Sequence, residues 1–138
     1  MRWAPAGAAI FAVLLFTWRD VLALRPTVLI PLAIALVIAW WLSPLNGRWG
    51  TRHRDVVAHP ESHPVVIYWR PGCVYCLRLR GVLGSDRRRA TWISIWSDEE
   101  AAAFVRSIND GNETVPTVRI GEQVHTNPEP DLVRAALR

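Results

Sequence analysis

The hydrophobic pattern divides the chain into an apolar first third and a mixed remainder. Residues 26–45 carry no charge over twenty positions, and as a helix they extend about 30 Å, enough to cross a bilayer. Residues 4–24 form a second apolar stretch, interrupted by Arg19 and Asp20, which can lie at the membrane interface. The pattern predicts a transmembrane helical hairpin with spans of about 4–24 and 26–45.

The arginines predict the orientation of this hairpin. The positive-inside rule puts both ends in the cytoplasm, because the outer segments are richer in arginine than the loop between the spans. The outer arginines are Arg2, Arg48, Arg52 and Arg54, against Arg19 and Arg25 in the loop. We expect a cell-membrane protein whose C-terminal part faces the cytoplasm.

The first span has an alternative interpretation as a secretory signal peptide. Arg2 would supply its basic start, although residues 21–23 make a poor cleavage site. A cleaved signal followed by a stop-transfer span would also leave the C-terminus in the cytoplasm. The expected location of the C-terminal part is therefore the same in both cases.

Residues 46–64 separate the apolar region, 1–45, from the remainder. They are polar and show no sustained apolar periodicity, so the pattern predicts a juxtamembrane linker. Three histidines lie in this stretch without regular ligand spacing, and we expect solvated side chains rather than metal ligands. These are His53, His59 and His63.

Residues 65–138 alternate short apolar runs with amphipathic segments. The first run leads through a Pro-Gly turn into a helix and a second run, which predicts a parallel crossover unit. Ser97 and Glu100 have the spacing of a capping box. The predicted order is βαβαββα: strand 65–69, helix 73–83, strand 90–95, a helix from Ser97 to Ile108, strands 117–120 and 123–126, and a last helix capped by Asn127.

Composition and charge limit the classes of binding partner that the sequence predicts. The chain is 51% hydrophobic with eight tryptophans, which is high for a small soluble domain, and the apolar first third accounts for much of this excess. The net charge of +4 comes from arginines scattered among twelve acidic residues, without interleaved aromatic residues. Nucleic-acid binding is therefore not indicated.

The two cysteines of the chain, Cys73 and Cys76, fall on the first turn of the predicted helix and can close a small disulfide ring. A thiol at a helix N-terminus is favoured as thiolate by unpaired backbone N–H groups and the helix dipole. Arg70, Arg78 and Arg80 are expected to add positive potential. The pattern predicts reversible redox chemistry, with Cys73 attacking and Cys76 resolving a mixed disulfide.

Two other interpretations of the cysteine pair stay open at this point. One is an inert structural disulfide, although such bonds usually join distant parts of a chain. The other is half of a zinc site completed by His53, His59 or His63. We expect no metal.

Three runs of residues carry a family resemblance. They are Trp69 to Cys76, Asn112 to Thr117, and Asn127-Pro128. With them the sequence resembles the glutaredoxin family, and within it more closely the actinobacterial mycoredoxins. The resemblance covers roughly residues 65–137 and implies an α/β thioredoxin fold, here preceded by the transmembrane hairpin.

The resemblance also implies the roles of five further residues. The peptide bond before Pro116 is expected to be cis and to face Cys73, so that Val115 presents its backbone to a substrate. Arg70, Tyr75, Thr114 and Val115 are expected to shape the site of a small thiol. No bound cofactor is implied, because the small thiol acts as co-substrate.

The implied function is a membrane-anchored thiol–disulfide oxidoreductase that reduces mixed disulfides between proteins and a low-molecular-weight thiol. Glutathione-using members commonly carry an acidic pair after the third strand, whereas residues 121–127 here contain none. This departure favours mycothiol over glutathione. Tethering would make membrane proteins natural clients, because it raises their effective concentration.

Two alternative functions stay open from the sequence. The first is a thioredoxin-like dithiol electron donor to membrane-protein disulfides, which requires both cysteines. The second is a carrier in which Cys73 of two subunits and two small thiols hold an iron–sulfur cluster.

Overall fold

A computed structural model describes residues 29–43 and 50–138, together with scattered positions between 4 and 18. The chain divides into two compact units, Met1–Asn46 and Gly47–Arg138.

In the first unit, helix α1 spans Leu29–Trp41, and its end is followed by a hydrogen bond from the Ser43 hydroxyl to the Trp40 carbonyl oxygen at 2.8 Å. Among the described residues, no helix combines the length and the apolar character needed to cross a membrane. The predicted spans, 4–24 and 26–45, include residues outside the described ones. The hairpin therefore stays a prediction.

The second unit confirms the predicted order βαβαββα from Val65 onward and adds a short helix before it. Its described elements are α2 His53–Ala58, β1 Val65–Trp69, α3 Val74–Leu83, β2 Thr91–Ser94, α4 Glu99–Ile108, β3 Thr117–Ile120, β4 Gln123–Thr126 and α5 Pro130–Ala136, with 3₁₀ turns at Pro60–Ser62 and Asp86–Arg89.

The four strands form one mixed sheet in the order β2-β1-β3-β4. β1 pairs in parallel with β2, where Ile67 lies opposite Trp92, and antiparallel with β3, where Ile67 lies opposite Val118. β3 and β4 form the predicted hairpin. This arrangement fits a thioredoxin fold, and it places β1 in the interior of the sheet, directly before the two cysteines.

Two apolar layers cover the faces of the sheet. Because side chains alternate along a strand, Val65 and Ile67 of β1 face one layer while Val66 and Tyr68 face the other. Each fully buried aliphatic side chain contributes roughly 1.5–3 kcal/mol. The first layer contains Leu79, Leu83, Val133 and Leu137, and the second contains Val56, Ile93, Ile95, Ala101, Ala102, Val105 and both cysteines.

The predicted linker is folded over part of its length, which corrects the sequence interpretation. α2 packs against the domain through Val56, which is 1% exposed. His53 Nδ1 lies 2.9 Å from the Tyr68 hydroxyl, and His63 Nδ1 lies 2.8 Å from the Thr91 hydroxyl. These two histidines are therefore half-buried and hydrogen-bonded to the domain, rather than free in solvent. A six-residue helix with one buried valine is too short to show periodicity in the sequence.

Burial acts on both partners of the His53–Tyr68 hydrogen bond. It lowers the pKa of His53 from 6.5, against the opposing effect of Asp98 and Glu100. It raises the pKa of Tyr68 to about 12. Both side chains are therefore neutral at pH 7, and the bond that fixes α2 to β1 joins two uncharged groups.

Asp98, rather than the predicted Ser97, is the N-cap of α4. The Asp98 carboxylate accepts hydrogen bonds from Ala101 N at 3.2 Å and from His53 N at 2.8 Å. The Ser97 hydroxyl instead donates to the Ser94 carbonyl oxygen. One buried carboxylate thus satisfies backbone donors at the N-termini of two helices, α4 and α2.

The last helix also begins differently from its prediction. α5 starts at Pro130 with Glu129 as N-cap, rather than being capped by Asn127. Asn127 has a φ of +47°, and its N–H donates to the Pro116 carbonyl oxygen at 2.7 Å. The asparagine therefore ties the end of β4 to Pro116 instead of capping a helix.

Replacing Asp98 with alanine is expected to lower the free energy of unfolding by about 2–3 kcal/mol, because one buried and one half-buried backbone donor lose a charged acceptor. Denaturant unfolding followed by tryptophan fluorescence measures this loss. Asp131→Ala is the matched control: Asp131 also lies in a first helical turn, but its side chain is 88% exposed, and we expect less than about 0.5 kcal/mol. Equal losses of unfolding free energy in the two variants would contradict the assignment of Asp98 as the residue that caps both α4 and α2.

Candidate active site

A tight turn carries the chain from β1 to the first cysteine. Pro71 is buried, and Gly72 has a φ of +76°, a left-handed conformation that favours glycine. The Cys73 N–H donates to the Arg70 carbonyl oxygen at 3.4 Å. Cys73 thereby becomes the N-cap of α3, with its side chain at the positive end of the helix.

The sulfur atoms of Cys73 and Cys76 lie at disulfide distance, with their Cα atoms 5.3 Å apart. The Cys76 N–H donates to Cys73 Sγ at 3.1 Å. Cys73 is 9% exposed and Cys76 is 3% exposed. Cys73 is thus the more exposed cysteine, and in the reduced protein the same N–H can stabilise its thiolate.

The peptide bond between Val115 and Pro116 is cis, as the resemblance predicts. The Val115 carbonyl oxygen lies 3.4 Å from Cys73 Sγ. Since neither sulfur of a disulfide carries a proton, this is a close contact in the oxidised form. The backbone of Val115 therefore lies directly beside Cys73 Sγ.

An open groove of about 530 Å³ is lined by Tyr75, which stands between the two cysteines in the sequence, and by Val115, whose carbonyl oxygen contacts Cys73 Sγ. Four residues predicted to shape the thiol site line it together: Arg70, Tyr75, Thr114 and Val115. The fifth predicted residue, Pro116, instead lines a smaller adjacent cleft with Tyr75 and Arg78. Tyr75, which is 59% exposed, belongs to both.

Three groove residues were missed as candidates by the sequence interpretation. These are Asn112, Glu113 and Asn127. Each lies inside one of the two runs, 112–117 and 127–128, that carry the family resemblance. Their place in those runs was the sequence signal that could have identified them as candidates. The loop after α4 and the end of β4 bring them to the groove, which is a long-range consequence of the fold.

Sequence comparisons with known proteins point to one family. A family profile described as glutaredoxin matches residues 65–125. A Mycobacterium tuberculosis (H37Rv) protein, provisionally named a glutaredoxin, is 42% identical over 74 residues, covering 53% of this chain and 88% of the relative. The Corynebacterium glutamicum protein named mycoredoxin 1 is 45% identical over 65 residues, covering 46% of this chain and 80% of the relative.

The chain belongs to the glutaredoxin family. Together with the disulfide at Cys73 and Cys76, this membership makes it a thiol–disulfide oxidoreductase. Glutaredoxins need no bound cofactor and use a thiol co-substrate, which agrees with the expectation from the sequence.

Arg80 of this glutaredoxin, which was expected to add positive potential near the cysteines, packs against two tryptophan rings. Its guanidinium carbon is 4.8 Å from the Trp69 ring centre and 4.6 Å from the Trp92 ring centre. Burial, with Arg87 nearby, lowers the pKa of Arg80. Two helical turns separate it from Cys73. Arg70 and Arg78 therefore supply the positive charge at the two clefts.

The zinc alternative has no ligand set in the part of the glutaredoxin that the structure describes. Within residues 29–43 and 50–138 and the scattered earlier positions, no three His, Cys, Asp or Glu side chains come together as metal ligands. His53 and His63 instead contact the hydroxyls of Tyr68 and Thr91.

Proposed function

We propose that this glutaredoxin reduces mixed disulfides between proteins and mycothiol, with Cys73 as nucleophile and Cys76 as resolving thiol. The observation that carries the proposal is the placement of Cys73 Sγ. It belongs to the more exposed cysteine, and it receives a backbone N–H at a helix N-terminus. It also contacts the carbonyl oxygen of Val115, a residue that lines a polar groove.

The first step transfers the small thiol to Cys73. The Cys73 thiolate attacks the small-thiol sulfur, a new S–S bond forms, and the bond to the protein sulfur breaks. The protein leaves as a thiolate and takes a proton from water. Its cysteine has been reduced, and Cys73 now carries the small thiol as a mixed disulfide.

Two routes can then restore or resolve the enzyme. A second small thiol can attack the bound small-thiol sulfur, releasing the Cys73 thiolate and a small-thiol disulfide. Alternatively, Cys76 attacks Cys73 Sγ, releases the small thiol, and closes the disulfide observed in the structure. The second route needs a later two-electron reduction of that disulfide, for which the small thiol is the reductant.

The composition of the groove favours a hydroxyl-rich, uncharged thiol such as mycothiol. Its side chains offer one cation, Arg70, one anion, Glu113, and the uncharged polar groups of Asn112, Thr114 and Asn127. Arg106 lies 2.7 Å from Glu113 and compensates its charge. Glutathione carries an ammonium group and two carboxylates, and residues 121–127 supply no acidic pair for the ammonium group.

The disulfide itself favours a second candidate function. Cys73 and Cys76 are paired with each other in the structure, so the reduced pair could act as a dithiol donor to protein disulfides. This function requires both cysteines, whereas removal of a mycothiol group requires Cys73 and a small thiol.

The full-length protein is expected to turn over the mixed disulfide of mycothiol and 2-mercaptoethanol in preference to the matching glutathione substrate. We expect about tenfold or more in kcat/KM, because a charged group left unpaired in the groove costs ~1.4 kcal/mol or more. Cys76→Ser is expected to retain this turnover, and Cys73→Ser to abolish it.

Three outcomes distinguish the candidates. Equal turnover of the two small-thiol substrates would contradict the preference for mycothiol. Loss of all turnover in Cys76→Ser, with insulin disulfides still reduced by the wild type, would instead support the dithiol donor. Retained turnover in Cys73→Ser would contradict the assignment of the nucleophile.

We also propose that the first unit attaches the redox domain to the cell membrane, with the domain in the cytoplasm and membrane proteins among its clients. The support is the uncharged sequence of residues 26–45 and the exposure of apolar side chains on α1. In the described part of this unit, three apolar side chains are each more than 60% exposed: Leu29, Ile30 and Val37. Apolar surface of this kind is stabilised by lipid or by a partner.

Cell fractionation is expected to place the wild type in the membrane pellet, resistant to alkaline carbonate. Replacing Ile34 and Ile38 together with arginine should release the protein, because each central arginine opposes insertion by about 2.5–3.5 kcal/mol. The matched control replaces the same two residues with valine and should stay in the pellet. Wild-type protein in the soluble fraction would contradict attachment, and digestion of the domain by protease outside intact cells would contradict its orientation.

A further inference from the structure

The loop that follows α4 forms one wall of the groove. It contributes Asn112, Glu113, Thr114 and Val115 to the lining. The chain enters it through Asp110 and Gly111, both with positive φ, immediately after the last turn of the helix. The shape of this wall therefore depends on what holds residues 112–115 against the rest of the domain.

Arg106, in the last turn of α4, holds this loop in two ways. Its guanidinium lies 2.7 Å from the carboxylate of Glu113 and 2.6 Å from that of Glu99. Its carbonyl oxygen accepts a hydrogen bond from Gly111 N at 2.9 Å. Hydrogen bonds to Glu99 and Glu113 raise the pKa of Arg106, so it stays charged. Arg106 itself is not among the groove-lining residues.

A separate network fixes the other end of the same wall. The Thr117 hydroxyl donates to the Thr114 carbonyl oxygen at 2.8 Å, and Asn109 Nδ2 donates to the Thr117 hydroxyl oxygen at 3.2 Å. The Thr126 hydroxyl in turn donates to Asn109 Oδ1 at 2.6 Å. Thr114, which precedes Val115 beside Cys73, is therefore held without a contact from the Arg106 side chain.

We propose that Arg106 is a positioning residue for the small-thiol groove, acting through Glu113. The inference rests on the proposed function, in which this groove binds the small thiol. Arg106 fixes the part of the wall that contacts the body of the co-substrate, while the network at Asn109 fixes the part beside the reacting sulfur. Removal of Arg106 should weaken co-substrate binding and leave the chemical step at Cys73 nearly unchanged.

A matched surface arginine allows a purely structural role to be separated from this one. Arg134 of α5 is 31% exposed against 34% for Arg106, and it pairs with Asp131 at 2.8 Å. It also donates to the carbonyl oxygen of Val82. Arg134 is not among the groove-lining residues either. A general loss of stability should therefore appear in both arginine variants, whereas a change in the KM for the co-substrate should appear only when Arg106 is replaced.

The test measures kcat and KM for the mixed disulfide of mycothiol and 2-mercaptoethanol with the full-length protein. Arg106→Gln is expected to raise KM about three- to tenfold with kcat within about twofold of wild type. Arg134→Gln should leave both constants unchanged. Arg106→Lys should lie between wild type and Arg106→Gln, because a lysine can reach one carboxylate but not bridge two in a fixed fork.

The double variant Arg106→Gln with Glu113→Gln tests whether the two residues act as one unit. The proposal predicts that its KM equals that of Glu113→Gln alone, so that the effects do not add. Additive effects, a KM change no larger than in Arg134→Gln, or a fall in kcat at constant KM would each overturn it. Absence of turnover in the wild type is a different result: it would reject the proposed function, on which the inference rests.

Discussion

The hydrogen bond from the Cys76 N–H to Cys73 Sγ is the interaction around which the active site is built. It exists because the two cysteines are three residues apart and Cys73 is the N-cap of α3. An anion at that position meets unpaired backbone donors and the positive end of the helix. The chemistry of the chain follows from this placement, and the surrounding elements serve to hold it and to bring a substrate sulfur to it.

Three parts of the domain meet at that sulfur. β1 delivers the turn that ends in Cys73, and it is held by hydrogen bonds to β2 and β3 and by apolar layers on both faces. The segment before β3 places the Val115 carbonyl oxygen beside the sulfur. The loop after α4 completes the groove, with Arg106 and Asn109 fixing its two ends. A redox centre of two small side chains is thus defined by contacts between residues far apart in sequence.

The sequence was informative where the signal is local. The bounds of β1 follow from a continuous apolar run before the Pro-Gly turn, and those of β3 and β4 follow from two short strand patterns joined at a turn. The cis peptide before Pro116 follows from the family resemblance. Local signals failed where tertiary contacts decide. Asp98 replaces Ser97 as N-cap because it can also accept from His53 across the domain, a pairing 45 residues apart. α2 was missed because its docking rests on such long-range contacts.

The candidate site divides in the same way. The family resemblance made it possible to predict Arg70, Tyr75, Thr114 and Val115. The position of Glu113 in the groove could not be predicted, because it depends on a contact with Arg106, seven residues before it on a different element.

The role of Cys73 as the stabilised thiolate can be measured directly by the ultraviolet thiolate absorbance of the reduced Cys76→Ser and Cys73→Ser proteins across a pH titration. The account predicts that the sole thiol of Cys76→Ser is already thiolate at neutral pH, while that of Cys73→Ser is not. Two curves that both follow an ordinary cysteine would contradict it.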